Sequence, residues 1–428
     1  MTASSIAPPA HEAETAGVFA WYRSLPKPDG RRAFAGAFGG YGLDAYDYQI
    51  LSLVLIAIIA HFGISTGQAG LLATVTLVVS AVGGIGAGLL IDRIGRSRTL
   101  MITVGSYALF TVLCGFARNY PMLLTFRALQ GLGFGGEWAA GAILVAEYAA
   151  ARYRGRTVAV IQSAWAVGWA LAVIVATNVL DHVNSGLSWR IVFWTGALPA
   201  LLILYLRRNV KDAPSARAVD DASPMAKVKV PLAGIFQGSL VRTTVFATLM
   251  ATGVQGGYYT IATWLPDYLK TVRHLTVVGT GWYLFLLIGG AFIGYLGGGY
   301  LSDRLGRRKT IALFGVLSAV ILFTYTHIPA HDNDVLLILG FPFGFCFSAI
   351  FSGFGSYLAE LFPRAVRGTG QGFCYNTGRA MGAFFPTAVG FAAGSKGLGG
   401  ALVYGVIGYI IAVLALLGLP ETRGADLA

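Results

Sequence analysis

Five ionisable residues stand in stretches otherwise too apolar to tolerate them: Asp44, Asp47, Arg127, Glu137 and Arg379. A lone charge in hydrocarbon costs about 3 kcal/mol or more, so such residues pair with one another or serve the movement of protons and ions. Counted at 1.5 Å per residue from Ala33, Asp47 lies about 21 Å along its segment. Arg127, counted from Pro121 at the opposite face, lies about 9 Å in; across a core of roughly 30 Å the two heights coincide. A carboxylate and a guanidinium at one level should pair, and protonating the carboxylate should release the arginine. Asp44 falls three residues before Asp47, on nearly the same helix face, where two carboxylates disfavour ionising together. Glu137, about 24 Å from the Pro121 face, is a further candidate for protonation. Arg379 lies about 18 Å beyond Arg367, near the midplane, with no acid of the second half at its depth. A planar guanidinium there is suited to hold a substrate carboxylate through two hydrogen bonds, with an interhelical pair to Asp44 or Asp47 as the alternative.

The elements that position these residues follow from composition. Of 428 residues, 56% are hydrophobic and 12% charged, against about 25% charged in soluble chains. There are too few charges to coat a water-facing surface. Twelve apolar segments run over 33–60, 68–91, 99–117, 121–148, 156–180, 189–206, 239–269, 276–301, 310–328, 334–361, 368–393 and 399–419. They predict an all-α integral membrane protein of twelve transmembrane helices. The polar stretch 207–238, with Pro214, Pro224 and Pro231, divides them into six-helix halves over 33–206 and 239–419, between an N-terminal tail 1–32 and a C-terminal tail 420–428. With both termini cytoplasmic, Arg118, Arg190, Lys270, Arg273 and Lys396 fall outside and Arg127 and Arg379 in the membrane. Every other Lys and Arg is then inside, which fixes the orientation. The first 32 residues lack the apolar core of a signal peptide and read as a cytoplasmic tail.

The net charge of +12 sits in short clusters between apolar runs, which suits cytoplasmic loops and excludes a nucleic-acid groove. Cys114, Cys346 and Cys374 lie in apolar stretches without metal or disulfide spacing, and no histidine pair has ligand spacing. The sequence therefore predicts neither an enzyme nor a metal site, and no cofactor besides the proton as coupling ion.

An internal repeat is visible: Gly88-x-x-x-Asp92-Arg93-x-Gly95-Arg96 recurs as Gly299-x-x-x-Asp303-Arg304-x-Gly306-Arg307, and Glu147 with Arg154-Gly155 recurs as Glu360 with Arg367-Gly368. Two parallel halves are implied. On these motifs the chain resembles the major facilitator superfamily from about Ala33 to Gly424. The resemblance implies that Asp92, Arg93, Arg96, Asp303, Arg304 and Arg307 form ion-pair clusters at cytoplasmic helix ends, which steady one conformation and break as the halves rock. Arg127-Ala-Leu-Gln130-Gly131-Leu-Gly133 and Tyr46-Asp47 are similar to signatures of proton-coupled sugar porters, as is the Pro420-Glu421-Thr422-Arg423-Gly424 ending. Gly42-Leu-Asp44-Ala-Tyr46-Asp47-Tyr48 and Gly135-Gly136-Glu137-Trp138 resemble the aromatic-acid and sialate or monocarboxylate proton symporters.

Gln255-Gly-Gly-Tyr258-Tyr259 resembles the amide and paired tyrosines that line the sugar porters' central cavity, and Gln162, Trp165, Trp169, Gln371 and Asn376 are positioned to join that lining. The expected protein is a monomeric, multi-pass symporter of the cell inner (plasma) membrane, taking up a small organic anion such as a monocarboxylate or aromatic acid with protons. A proton-coupled sugar or polyol symporter is the alternative. It shares Asp47 and Arg127 but gives Arg379 no anion. A drug antiporter would carry a proline signature in the fifth helix, which residues 156–180 lack. Glycine spacings such as Gly84-x-x-x-Gly88, Gly131-x-x-x-Gly135 and Gly294-x-x-x-Gly298 predict close helix contacts.

Overall fold

A computed structural model describes residues 20–149, 154–183, 185–210, 232–329, 332–363 and 366–423. Within these spans the side chains of Asp92, Arg96, Trp138 and Glu147 fall outside the described residues, as does most of the expected linker 207–238. The described chain is all-helical. Its main helices are α1 (Asp29–Phe62), α2 (Thr66–Ile94), α3 (Arg96–Cys114), α4 (Tyr120–Tyr148), α5 (Arg154–His182), α6 (Gly186–Asn209), α7 (Leu240–Thr271), α8 (Val277–Leu305), α9 (Arg307–His327), α10 (Asn333–Glu360), α11 (Arg367–Ala401) and α12 (Val403–Gly418). Among them, α1, α2, α3, α5, α6, α8, α9 and α10 are long and apolar enough to cross a membrane, and the bent α11–α12 pair passes the same test when taken together. α7 is not in that set; its buried positions carry Thr252, Gln255, Tyr258, Thr260 and Thr263, which lower its apolarity.

Local chemistry sets the ends. Ser65 and Gln68 form a reciprocal cap at the start of α2, Asn119 accepts from the Met122 amide before α4, and Thr276 accepts from Gly279 before α8. α2 passes to α3 through the single residue Gly95 (φ 87°), and α8 passes to α9 through Gly306 (φ 102°). Both glycines occupy the same place in the repeated motif, and both adopt a conformation that a Cβ disfavours. α1 begins at Asp29, earlier than composition indicated. Trp21 and Leu25, from the expected tail, are buried with Ile91, Leu100, Tyr148 and Leu206, because an apolar pair beside a helix start finds an apolar groove there.

The helix contacts repeat along the chain. α1 packs on α5 as α7 does on α11, α2 on α4 as α8 on α10, α3 on α4 as α9 on α10, and α3 on α6 as α9 on α12. Between the two sets, α2 meets α11, α5 meets α8 and α1 meets α7. Small residues permit the closest of these approaches: a Cβ on Gly290 of α8 would meet the Phe341 backbone of α10. Outside, the burial pattern is inverted relative to a soluble protein. Trp282, Ile338, Phe391 and Leu417 are largely exposed, while Asp47, Arg127 and Glu137 are fully buried, as expected where lipid takes the place of water.

The chain crosses the bundle once in α11 and again in α12. Gly390 of α11 bonds Thr66 at the start of α2, whereas Glu421, just past α12, bonds the start of α9. The end holding Arg32, Ser97, Val210, Arg307 and Glu421 is called here the terminal end; that holding Phe62, Thr66 and Gly390 is the far end.

Candidate functional site

Helical spacing assembles the site. On α4, Arg127, Gln130, Phe134 and Glu137 recur every three or four residues and so share one face; on α1, Tyr41, Asp44 and Tyr48 do the same. Gln130 fills the space between the residues expected to pair. Its Nε2 donates to Asp47 Oδ2 and, at 2.8 Å, to Thr111 Oγ1, while its Oε1 accepts from Arg127 Nη1. The expected direct ion pair between Asp47 and Arg127 is thus replaced by a bridge. An amide one turn along from the arginine offers a donor to the carboxylate and an acceptor to the guanidinium, so it satisfies both. Arg127 Nε and Nη2 and Asp47 Oδ1 have no hydrogen-bond partner among the described residues.

Asp44 is 2% exposed and Glu137 fully buried. Asp44 Oδ1 and both Glu137 carboxylate oxygens lack partners among the described residues. Asp44 interacts electrostatically with Glu137, Asp47 and Arg379. Three acids therefore share one low-dielectric region, where they disfavour ionising together.

Arg379, on α11, is 6% exposed. Its Nη2 donates to Tyr375 Oη at 3.1 Å, and its guanidinium carbon lies 5.0 Å from the Tyr375 ring centre and 5.4 Å from that of Phe134. Among the described residues no carboxylate forms an ion pair with it, and its Nε has no partner. Rings continue outward from Phe134: Tyr48 at 5.5 Å, Trp165 at 6.2 Å, and beyond Tyr48 the ring of Tyr259 at 5.7 Å. Tyr41 lies 5.3 Å from Trp165. The cation is framed by aromatic faces, an arrangement that favours a planar anion.

The other expected lining residues divide. Trp165 Nε1 donates to Tyr258 Oη, joining α5 to α7. Gln255 Nε2 donates to the Tyr375 carbonyl, so it braces the helix that carries Arg379. Asn376 bonds the Gly372 carbonyl on its own helix, and Gln162 is 8% exposed on α5, one turn before Trp165. The sequence motifs include Gln130 and Tyr48 without giving either a role, and they do not single out Tyr41, Phe134 or Tyr375. Their places one helical turn from Asp44, Gln130 and Arg379 are the signal that would have found them.

At the far end the two sets of helices are in contact. Thr74 Oγ1 donates to the Ala383 carbonyl at 2.5 Å and lies 2.7 Å from Thr387 Oγ1, and Thr66 donates to Gly390. At the terminal end Gly88, Gly368 and Gly372 face open space. Among the described residues, nothing lies within 4 Å of a Cβ placed on Gly88, whereas Gly131, Gly135, Gly294 and Gly298 make the close contacts that their spacing predicted.

The repeated motif is described chiefly in its second copy. Arg307 bonds Asp303 at 2.8 Å and Glu360 at 3.3 Å, and Glu360 accepts from Thr422. Arg304, expected in the same cluster, instead lies over the Tyr300 ring at 4.5 Å; one position past Asp303 its side chain leaves along the helix surface, where a ring one turn back receives it. Glu421 accepts from the backbone amides of Arg307, Arg308 and Lys309. Burial pushes its carboxyl up, but the backbone amides of Lys309, Arg308, Thr422 and Arg423 outweigh burial and hold it below the usual range. In the first copy Arg93 is exposed, and the side chains of Asp92 and Arg96 lie outside the described residues.

The sequence pattern of the Major Facilitator Superfamily matches residues 37–386 and 279–426. The chain belongs to the Major Facilitator Superfamily. Within it, the "Probable 4-methylmuconolactone transporter" of Cupriavidus pinatubonensis is 40% identical over 95% of this chain and 94% of its own. The cis,cis-muconate transport protein of Acinetobacter baylyi is 30% identical over 91% of this chain and 94% of its own. A crystal structure of a D-xylose–proton symporter, 20% identical, superposes with a TM-score of 0.75 and covers 92% of this chain and 98% of that one, which shows the shared fold. This superfamily member is a multi-pass membrane transporter and not an enzyme.

Proposed function

We propose that the chain is a proton-coupled symporter that carries a small organic anion, a monocarboxylate or aromatic acid, inward across the cell inner membrane. On this reading twelve helices span the bilayer, both termini are cytoplasmic, and the protein works as a monomer. Residues 33–206 and 239–419 form two halves that expose a central site to each side in turn. The repeated helix contacts support the two halves, and the hydrogen bonds that join α2 to α11 at the far end support a conformation closed on that side.

The observation that carries the anion is Arg379: a buried cation without a carboxylate partner, framed by Phe134 and Tyr375. Charge buried without compensation is costly, so a substrate carboxylate is its natural partner. Asp47, Asp44 and Glu137 form the proton-accepting set. Protonating Asp47 weakens its hold on Gln130, and Gln130 in turn relaxes Arg127, so proton state reaches α4 through one amide. Relatives named for muconolactone and muconate support unsaturated carboxylates as the substrate class. A sugar or polyol would bring Arg379 no carboxylate to bind.

The test is uptake into proteoliposomes with an imposed pH gradient, against a panel of aromatic and unsaturated carboxylates, sugars and polyols. Accumulation of a carboxylate that collapses when the gradient is dissipated is the expected result. Accumulation of a neutral sugar alone would overturn the reading.

A further inference from the structure

Among the far-end cations, most stay within their own set of helices. Arg190 bonds the Gly115 and Ala117 carbonyls. Arg273 bonds Asn333 and the Ile328 and Pro329 carbonyls. Lys396 lies 5.7 Å from the Tyr404 ring. Lys270, in the last turn of α7, differs. Its Nζ donates to the Leu53 carbonyl of α1 at 3.2 Å, and it lines one small cavity together with Ala176 and Thr177 of α5 and Thr280 and Leu284 of α8. It is a cation placed where α1, α5, α7 and α8 meet across the seam between the two sets.

One turn earlier on the same helix is Asp267, 3% exposed, whose Oδ1 has no hydrogen-bond partner among the described residues. Lys270 is the charged group that acts on it electrostatically, and the reverse holds. The two nevertheless form no ion pair, since the amine is drawn to α1. A buried carboxylate is left short of a partner while the nearest cation bonds a neutral carbonyl. That arrangement is stable only while α1 and α7 are in contact.

We propose that Lys270 and Asp267 form a partner-exchanging latch that sets the balance between the two conformations. With the far end closed, Lys270 bonds Leu53 and Asp267 bears the cost. When the far end opens, α1 leaves, Lys270 loses its carbonyl, and Asp267, three residues away on one helix face, takes the amine as an ion pair. The carboxylate thus favours the open state and the lysine–carbonyl bond the closed one. The inference rests on the alternating-access reading but not on the identity of the substrate, and it uses neither the Arg379 nor the Asp47 group.

Opposite signs make it testable. Thr74 is 2% exposed between α2 and α11, so a Thr74→Cys reporter reacts with a membrane-impermeant maleimide only when the far end opens. The native cysteines are buried. In intact cells or proteoliposomes, Lys270→Met should speed labelling about tenfold and Asp267→Asn should slow it by a similar factor. Lys270→Arg, which keeps a donor, should stay near the parent rate. Each variant is checked by its thermal unfolding midpoint, so that misfolding is not read as opening. Shifts in the same direction for Lys270→Met and Asp267→Asn, or no shift in folded protein, would overturn the latch. A reporter that never labels in any background, with or without transported substrate, would overturn alternating access at this seam and the latch with it.

Discussion

Gln130 donates to Asp47 from the same amide whose oxygen receives Arg127. The acid and the base of the expected pair therefore communicate through a neutral residue, and the amide has one orientation that serves both. Rotating it would face Nε2 to the guanidinium and Oε1 to the carboxylate, placing like against like.

Gln130→Leu should consequently cost more than a hydrogen bond, since it leaves Asp47 and Arg127 both buried and short of partners. Proton-driven accumulation should fall at least about tenfold, with substrate binding largely retained. Asp47→Asn should abolish accumulation while counterflow exchange persists. Full accumulation in Asp47→Asn would shift the proton-carrying role to Asp44 or Glu137.

Arg379→Ala should weaken binding of the best carboxylate by roughly ten- to a hundred-fold, the worth of a charge-assisted contact. Lysine should rescue only in part, having no planar fork. The neutral amide of the same compound should bind the parent poorly and lose little more in the variant, and isothermal titration of both ligands gives the comparison. Equal losses for acid and amide would assign Arg379 a structural role instead.

Gly306→Ala should destabilise by about 1–3 kcal/mol, because φ of 102° is strained for any Cβ and the new methyl would press on the Glu421 carboxylate. Gly289→Ala on α8, where nothing lies within 4 Å, should be neutral or slightly stabilising. Thermal unfolding in detergent distinguishes them.

Glu421 supplies a pH dependence whose sign is fixed by its lowered carboxyl. A group held below its unfolded value stabilises the fold above the unfolded value, and that contribution is lost as pH falls through the folded one. Wild type should exceed Glu421→Gln in Tm at neutral pH, and the two should converge as pH drops below about 4. A gap that persists in acid would mean the side chain acts by shape.

Much of this was legible in sequence because lipid imposes few solutions. Long apolar runs gave most of the helices within a few residues, though α11 runs eight residues past its expected end, and the doubled motif foretold equivalent glycines at Gly95 and Gly306. Depth counting brought Asp47 and Arg127 to one level, yet it measures height along an axis and is blind to what stands between two helices at that height. Gln130 was hidden for that reason. Arg304 escaped because charge type alone does not reveal whether a carboxylate or a ring lies nearer. The Asp267 and Lys270 relationship was also out of reach, since it depends on a backbone carbonyl of α1, which sequence does not advertise.

The bond from Trp165 to Tyr258 makes the candidate site spectroscopically visible. The Trp165 indole donates across the seam and is bordered by Tyr41, Tyr48 and Phe134, so its emission depends both on that bond and on what fills the space beside Arg379. Trp189 and Trp264 are fully or almost fully buried elsewhere in the bundle and supply a steadier background. The protein thus carries its own fluorophore at the point where occupancy and conformation meet, and the difference between parent and Trp165→Phe spectra isolates it without an added label.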